Sequence, residues 1–333
     1  VELALSPPHA HLDAMGFFKH LRIRRPGPGR PWPPGRLALA LQGGGSFGAF
    51  TWGALERLLE EEAISFDAIS GASAGAVNAV LLASGLASGG RDGARKILDD
   101  FWTHVSHPNL FLPIARLPLD FMTKALTPYQ FNPFDLNPLR DALNAHVDFE
   151  LLRKANGPKL LIGATRISDA GLRIFSRDEL TVDCVLASAC LPLLQHSVEI
   201  NGEHYWDGGY VANPPLTPLV VKTEASTVLI IQISPKRADI VPRSRADIER
   251  RIDQINFCST LDREIDAIRQ LAPLCAAGDS SGKWARLRLD RIAAENEVEA
   301  LAQQSAGNLS WSFVSKLRDA GRAAAEGWIA QEA

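Results

Sequence analysis

The stretch Ile69-Ser70-Gly71-Ala72-Ser73-Ala74-Gly75-Ala76-Val77-Asn78-Ala79 leaves this chain few ways to fold. An apolar run at 66–69 ends in Gly71, and an alanine-rich, helix-forming run follows at 74–83. The pattern predicts strand, sharp turn, helix, with Ser73 at the apex and glycines two places to either side. That is G-x-S-x-G in the setting a nucleophile elbow needs. Such a turn strains the serine backbone, so its neighbours must be small. The hydroxyl then stands over a helix N-terminus, whose dipole favours a developing anion. A plainer reading exists, in which small residues only let a helix pack close to a sheet. The strand and helix around the match, and two further motifs, favour the elbow.

The order of elements around the elbow predicts an α/β fold with a central, mostly parallel sheet. Residues 36–42 form an apolar run that reads as a buried parallel strand. A glycine-rich loop, 43–48, and a helix over 49–62 come next, the helix carrying Leu55, Leu58 and Leu59 as an apolar stripe. Further helices are expected over 92–104 and 182–189, and core strands over 158–165 and 227–234, with 172–176 pairing beside the first of these. Asn201-Gly202 between 197–200 and 203–206 signals a β-hairpin. From 244 the chain reads as mainly helical. Ile248, Ile252, Ile255, Leu261, Ile265 and Ile268 recur at helical intervals and predict one apolar face. A strand is expected over 284–289 and a last amphipathic helix through Leu309, Phe313, Leu317, Ala324 and Trp328. The domain reading is a basic, Pro/Gly-rich arm at 1–35 followed by one domain over 36–333. The arm's basic cluster, Lys19 to Arg25, suits either a loosely held terminus or a contact with membrane phosphates or a partner. Residues 108–138, rich in proline and aromatic residues, read equally as a lid or acyl-chain wall and as an irregular insertion covering the core.

Two motifs accompany the elbow. Gln42-Gly43-Gly44-Gly45-Ser46-Phe47-Gly48 lies between a strand and a helix. Acyl transfer needs backbone N–H donors aimed at a tetrahedral oxyanion, and glycines let the backbone approach a substrate unobstructed. The same letters satisfy G-x-G-x-x-G, but dinucleotide binding expects an acid at the C-terminal end of the next strand. Asp67 sits at that strand's start. Downstream, Asp207-Gly208-Gly209 follows the hairpin, with Asn213-Pro214-Pro215 just after. The common hydrolase order is Ser, then Asp or Glu, then His. The last histidine here is His204, so none follows Asp207. A Ser–Asp pair fits the chain better than a triad through His196 or His204.

Composition narrows the classes. The chain has 333 residues, 46% hydrophobic and 22% charged, with a net charge of −3. These values suit an ordinary soluble globular protein and give no reason to expect a nucleic-acid partner. The cysteines at 184, 190, 258 and 275 form no C-x-x-C pair, which points to a reducing compartment. No metal or cofactor is expected. No apolar run reaches the roughly 20 residues of a membrane span, and the first residues lack a signal-peptide core. A cytoplasmic protein is expected, with peripheral membrane contact open and export left open if a leader precedes residue 1.

With glycine-rich loop, G-x-S-x-G and D-G-G in this order, the sequence resembles the patatin-like phospholipase family over about 36–219. The residues that carry the resemblance are Gly43-Gly44-Gly45-Ser46-Phe47-Gly48, Gly71-Ala72-Ser73-Ala74-Gly75, and Asp207-Gly208-Gly209 with Asn213 and Pro215. The resemblance implies a three-layer α/β/α fold and metal-free hydrolysis of acyl esters of lipids by a Ser–Asp dyad. By position, Ser73 would be nucleophile and Asp207 general base, its pKa raised by burial. The N–H groups of Gly44 and Gly45, with Gly43 or Ser46, would bind the oxyanion, and Gly48, Gly71, Gly75, Gly208, Gly209 and Asn213 would support the motifs. Phe47 departs from the pattern: many members carry Arg or Lys there, so a neutral-lipid or short-ester substrate gains weight. Two alternatives remain, a histidine-triad carboxylesterase and a catalytically silent lipid-binding protein of the same fold.

Overall fold

The structure, a computed structural model, describes residues 32, 34–107, 126–298 and 301–331. Most of the arm and the first part of the 108–138 segment lie outside the described residues. The chain from 36 onward builds an eight-stranded sheet. Strands β1 (Arg36–Leu41), β2 (Ser65–Gly71) and β3 (Lys159–Arg166) run parallel. On the other side of β1, β7 (Thr227–Gln232) and β8 (Arg288–Ala293) continue the parallel set. Three antiparallel strands complete the sheet: β4 (Leu172–Ser176), β5 (Val198–Ile200) and β6 (Glu203–Asp207). Asn201 and Gly202 turn the β5–β6 hairpin with φ of 54° and 81°, as the Asn-Gly pair predicts.

Alternation along the strands sorts side chains into two layers. Leu37, Leu39 and Leu41 enter one core with Ile69, Leu160, Ile162, Leu229 and Ile231. Ala38, Ala40, Ala68, Leu161, Val228 and Ile230 face the other. Helices α1 (Gly48–Leu59), α2 (Ala74–Val105) and α8 (Trp311–Ala330) cover the first face. Helices α6 (Leu216–Lys222) and α7 (Arg245–Ala276) cover the second. The three-layer α/β/α architecture expected from the sequence is therefore the observed one. Between β2 and β6 the chain also forms α3 (Pro138–His146), α4 (Phe149–Lys154) and α5 (Val182–Ser188).

The helices expected over 74–83 and 92–104 both form, and α2 is the two of them joined across a break where Gly89 and Gly90 leave helical geometry. The strand expected over 284–289 is replaced by a turn of helix at Lys283–Arg286, with β8 starting only at Arg288. Lys283 is drawn away by the carbonyls of Val220, Val221 and Thr223, which its ammonium caps at the end of α6. The single apolar face expected on α7 is two faces. Leu261, Ile265 and Ile268 pack on the sheet, whereas Ile248, Ile252 and Ile255 are exposed. From Ile255 to Leu261 is six residues, about 240° around a helix, so the stripe changes sides.

Register along β3 brings the two distant motifs together. Ser70 and Ser176 both pair with Leu161, which puts β2 and β4 on opposite edges of β3. Arg173 and Asp207 both pair with Ala164, so β6 shares the β2 edge. β2 ends at Gly71 beside Ile162, and β6, running the other way, ends at Asp207 beside Ala164. The two strands meet head to head, and the residues just past their ends, Ser73 among them, converge.

Candidate active site

Ser73 is the residue at which β2 becomes α2, with φ 54° and ψ −127°. Positive φ at a non-glycine residue is strained and persists only where the surroundings enforce it. Here the Ser73 N–H donates to both the carbonyl (3.0 Å) and the hydroxyl (3.1 Å) of Ser188. That hydroxyl in turn donates to the Gly163 carbonyl at 2.6 Å. The flanking glycines are sterically required. A Cβ on Gly75 would lie 2.0 Å from the Leu41 carbonyl oxygen, and one on Gly71 2.5 Å from that of Gly75. Gly48 likewise lies against Ala74.

The glycine-rich loop runs directly beside the serine: a Cβ on Gly43 would come within 2.6 Å of the Ser73 Cβ. Asn213 clamps it, accepting from the Gly43 N–H at 2.7 Å and donating to the Gly43 carbonyl at 3.3 Å. Ser234 donates to the same carbonyl at 2.8 Å. Gln42 ties the loop to β7, its side-chain oxygen accepting from the N–H groups of Ile233 and Ser234. Gly45 has φ 56° and would place a Cβ 2.3 Å from the Ala306 carbonyl, which also accepts from the Ser46 N–H at 2.7 Å. Of the four donors put forward from the sequence, Gly43 and Ser46 are thus already engaged. The N–H groups of Gly44 and Gly45 have no acceptor among the described residues and stand free for a ligand.

Asp207 is completely buried. Its Oδ1 accepts from the Gly209 N–H at 2.7 Å, and its own carbonyl accepts from the Thr165 hydroxyl at 2.7 Å. Oδ2 is buried with no hydrogen bond of ordinary distance and angle. Burial lifts the Asp207 carboxyl to about 7, against the pull of the Ser73 hydroxyl and the Gly209 N–H, which favour the ionised form. The Ser73 hydroxyl is therefore within electrostatic reach of the carboxyl but short of a well-formed hydrogen bond. The two glycines after Asp207 are again close approaches: a Cβ on Gly208 would meet the Gly163 carbonyl at 2.1 Å, and one on Gly209 the Phe257 ring at 2.6 Å.

A cavity of about 680 Å³ opens onto Ser73, Gly44 and Gly45. Val77, Phe101, Trp102, Val105, Leu139 and Leu191 give it much apolar lining. Polar groups also line it, among them Tyr210 and, from α7, Arg250, Asp253 and Gln254. Arg250 is paired with Asp247. Asp253 has no ion pair or hydrogen bond among the described residues, and burial, with Glu249 nearby, raises its pKa. Phe47 also lines the cavity, buried edge-on against Phe313.

The remaining candidates lie elsewhere. His196 stacks on Tyr129 and faces the Pro128 carbonyl, and His204 faces Ser197. Neither has Ser73 or Asp207 as a partner. Asp67 is held by Arg36, Thr223 and the Glu224 N–H, away from the glycine loop, which leaves the dinucleotide reading without its acid. Among the described residues no three His, Cys, Asp or Glu side chains converge as metal ligands. No described helix is long and apolar enough to cross a membrane. Ser188, Gln42, Ser234 and the cavity face of α7 escaped the sequence reading. Only Gln42, a lone amide ending an apolar strand, left a signal.

The sequence model of the patatin-like phospholipase family matches residues 39–220, which contain every motif just described. The chain belongs to the patatin-like phospholipase family. As a family member it is similar to the uncharacterized protein YjjU of Escherichia coli K12, 27% identical over 227 residues. That similarity takes in 66% of this chain and 58% of YjjU, so the chain spans under two thirds of that relative. The crystal structure of VipD from Legionella pneumophila superposes with a TM-score of 0.45 at 15% identity, covering 88% of this chain and 66% of that one.

Proposed function

We propose that this family member is a serine hydrolase of lipid acyl esters that works through Ser73 and Asp207. The observation that carries the reading is the state of Asp207. One carboxylate oxygen is fixed by Gly209 N–H, the other is buried without a hydrogen bond, and the group titrates near neutrality beside the Ser73 hydroxyl. A carboxylate so arranged is a matched general base for a serine. Asp207 takes the proton as Ser73 Oγ attacks the ester carbonyl. The resulting oxyanion accepts from the N–H groups of Gly44 and Gly45, whose lack of other partners supports this role. Collapse expels the alcohol, which leaves with the proton from Asp207 and leaves an acyl group on Ser73. Water then gives a proton to Asp207 and attacks the acyl-enzyme, and the proton returns to Ser73 as the fatty acid departs.

The apolar lining of the cavity fits an acyl chain. Among the described residues that line the cavity, the cation Arg250 is paired and Asp253 is not, and Phe47 is buried in apolar contact. These features favour neutral or zwitterionic esters over anionic ones.

The test is hydrolysis of p-nitrophenyl esters from short to long acyl chains by the wild type, Ser73→Ala and Asp207→Asn, each checked for folding. Both variants should lose at least about 10³-fold in kcat/KM. An Asp207→Asn enzyme within tenfold of wild type would overturn the dyad. A folded wild type that binds acyl chains but turns over no ester would replace the enzyme by a lipid-binding protein.

A further inference from the structure

One segment that borders the cavity, and a second that packs on it, carry apolar side chains into solvent. In the turn at 191–197, Leu191 and Leu194 line the cavity, and Leu194 is also exposed at its edge. Leu193, beside them, is 73% exposed. The segment 126–137 packs against this turn. The Tyr129 ring lies 4.2 Å from that of His196, its hydroxyl meets Ser197 at 3.0 Å, and Asp135 approaches His196 at 3.9 Å. Within it, residues 132–136 are a constructed turn. The Asn132 side chain donates to the Leu136 carbonyl and accepts from the Leu136 N–H, both at 3.0 Å, and Asp135 adopts φ 49°. That turn holds Phe134 84% exposed, with Leu136 and Leu126 also in solvent.

Apolar side chains gathered on a surface mark an interaction site, and two features decide what covers this one. It is continuous with the cavity through Leu194, so whatever sits on it also controls entry. A protein seated there would close the mouth, whereas a lipid layer would present acyl chains to it. Its charge is also telling: in 126–137 and 191–197 the only ionisable charged side chains are Asp135 and His196, with no Lys or Arg. Anionic lipid surfaces are recognised by basic clusters, and these two described segments contain none. We propose that Phe134, Leu136, Leu193 and Leu194 form an interfacial docking surface that seats the cavity mouth on an uncharged or zwitterionic lipid layer. Docking then lets the substrate pass from lipid to Ser73 without crossing water. The inference rests on the lipid reading of the site, and its test is kept independent of turnover.

The full chain carrying Ser73→Ala is floated with phosphatidylcholine vesicles, with and without the pair Phe134→Asp and Leu193→Asp. Neither residue lines the cavity. The pair should weaken vesicle binding at least tenfold, and in the Ser73 enzyme should leave turnover of a water-soluble short-chain ester within twofold. Adding phosphatidylglycerol to the vesicles should not tighten binding, and salt should not weaken it. If the double variant shows a lowered Tm, Leu193→Ser alone is read for the same loss. Binding unaffected by these changes, or no binding by the parent chain, would overturn the surface whatever the esterase result. Binding that rises steeply with anionic lipid would overturn the charge argument. Sedimentation that finds a dimer in the parent chain and a monomer in the variant, without vesicle binding, would assign the surface to a second copy. Absent ester hydrolysis with intact vesicle binding would instead fault the proposed chemistry and leave the surface standing.

Discussion

Asp207 is costly to the fold for the same reason that it is suited to act as a base. An aspartate in an unfolded chain titrates near 3.9, whereas the buried carboxyl titrates at about 7. The folded state therefore holds its proton more tightly. Stability from this group is fully present below about pH 4, declines through the window from about 4 to 7, and is lost above it. Three units correspond to about 4 kcal/mol. Asp207→Asn keeps an acceptor for Gly209 N–H but has no charge to bury. The variant is expected to have a higher Tm than wild type at pH 8, with the gain shrinking toward zero near pH 4, while it loses activity. Wild-type kcat/KM should rise with pH and level off above about 7. A Tm at pH 8 equal to or below wild type would mean that the ionised carboxylate has a stabilising partner. At this scale Ser73 and Asp207 were legible as candidates because each sits in a local glycine motif. The division of labour among the loop donors was not. Whether Gly43 keeps its N–H depends on Asn213, 170 residues away, and whether Ser46 does depends on Ala306.

Elements were legible where the cue is local and hidden where a neighbour decides. The β5–β6 hairpin is written in Asn201-Gly202. Helix α1 has a stripe of leucines and a glutamate-rich end, yet almost all of it is buried, because α8 covers its outer side and Arg318 takes both oxygens of Glu56 at 2.7 Å. In α7, intervals of three and four residues hold within each half of the isoleucine series. The break between Ile255 and Leu261 has meaning only once it is known which half has a sheet to cover. The two halves should respond differently to substitution. Ile265 is buried in the second core, so Ile265→Ala should cost roughly 2–4 kcal/mol. Ile252 is exposed, and Ile252→Ser should change stability by less than about 0.5 kcal/mol. Urea unfolding of the two variants against wild type checks this, and equal losses would mean that the Ile248 stripe is covered in solution.

For the whole molecule, the family match ends at residue 220, but the described chain from Trp32 onward forms one compact unit. Material beyond the match enters the centre of it. β7 and β8 complete the parallel sheet, α7 closes its second face, and the Ala306 carbonyl holds the loop that carries Gly44 and Gly45. Helix α8 lies against α1, the helix that follows this loop, at a distance that only glycines allow. A Cβ on Gly321 would sit 2.0 Å from the Phe50 carbonyl oxygen, and one on Gly53 1.9 Å from that of Arg318. We infer that residues 36–331 fold as one cooperative domain whose C-terminal part supports the loop. Gly321→Val forces the α1–α8 backbones apart and should lower the free energy of unfolding by at least about 2 kcal/mol, since backbone cannot yield as a side chain can. In both wild type and variant, ellipticity and esterase activity should disappear in the same single transition. Activity that survives a first transition in ellipticity would show the opposite: a catalytic unit that folds by itself, with α8 docked on it as a separable part.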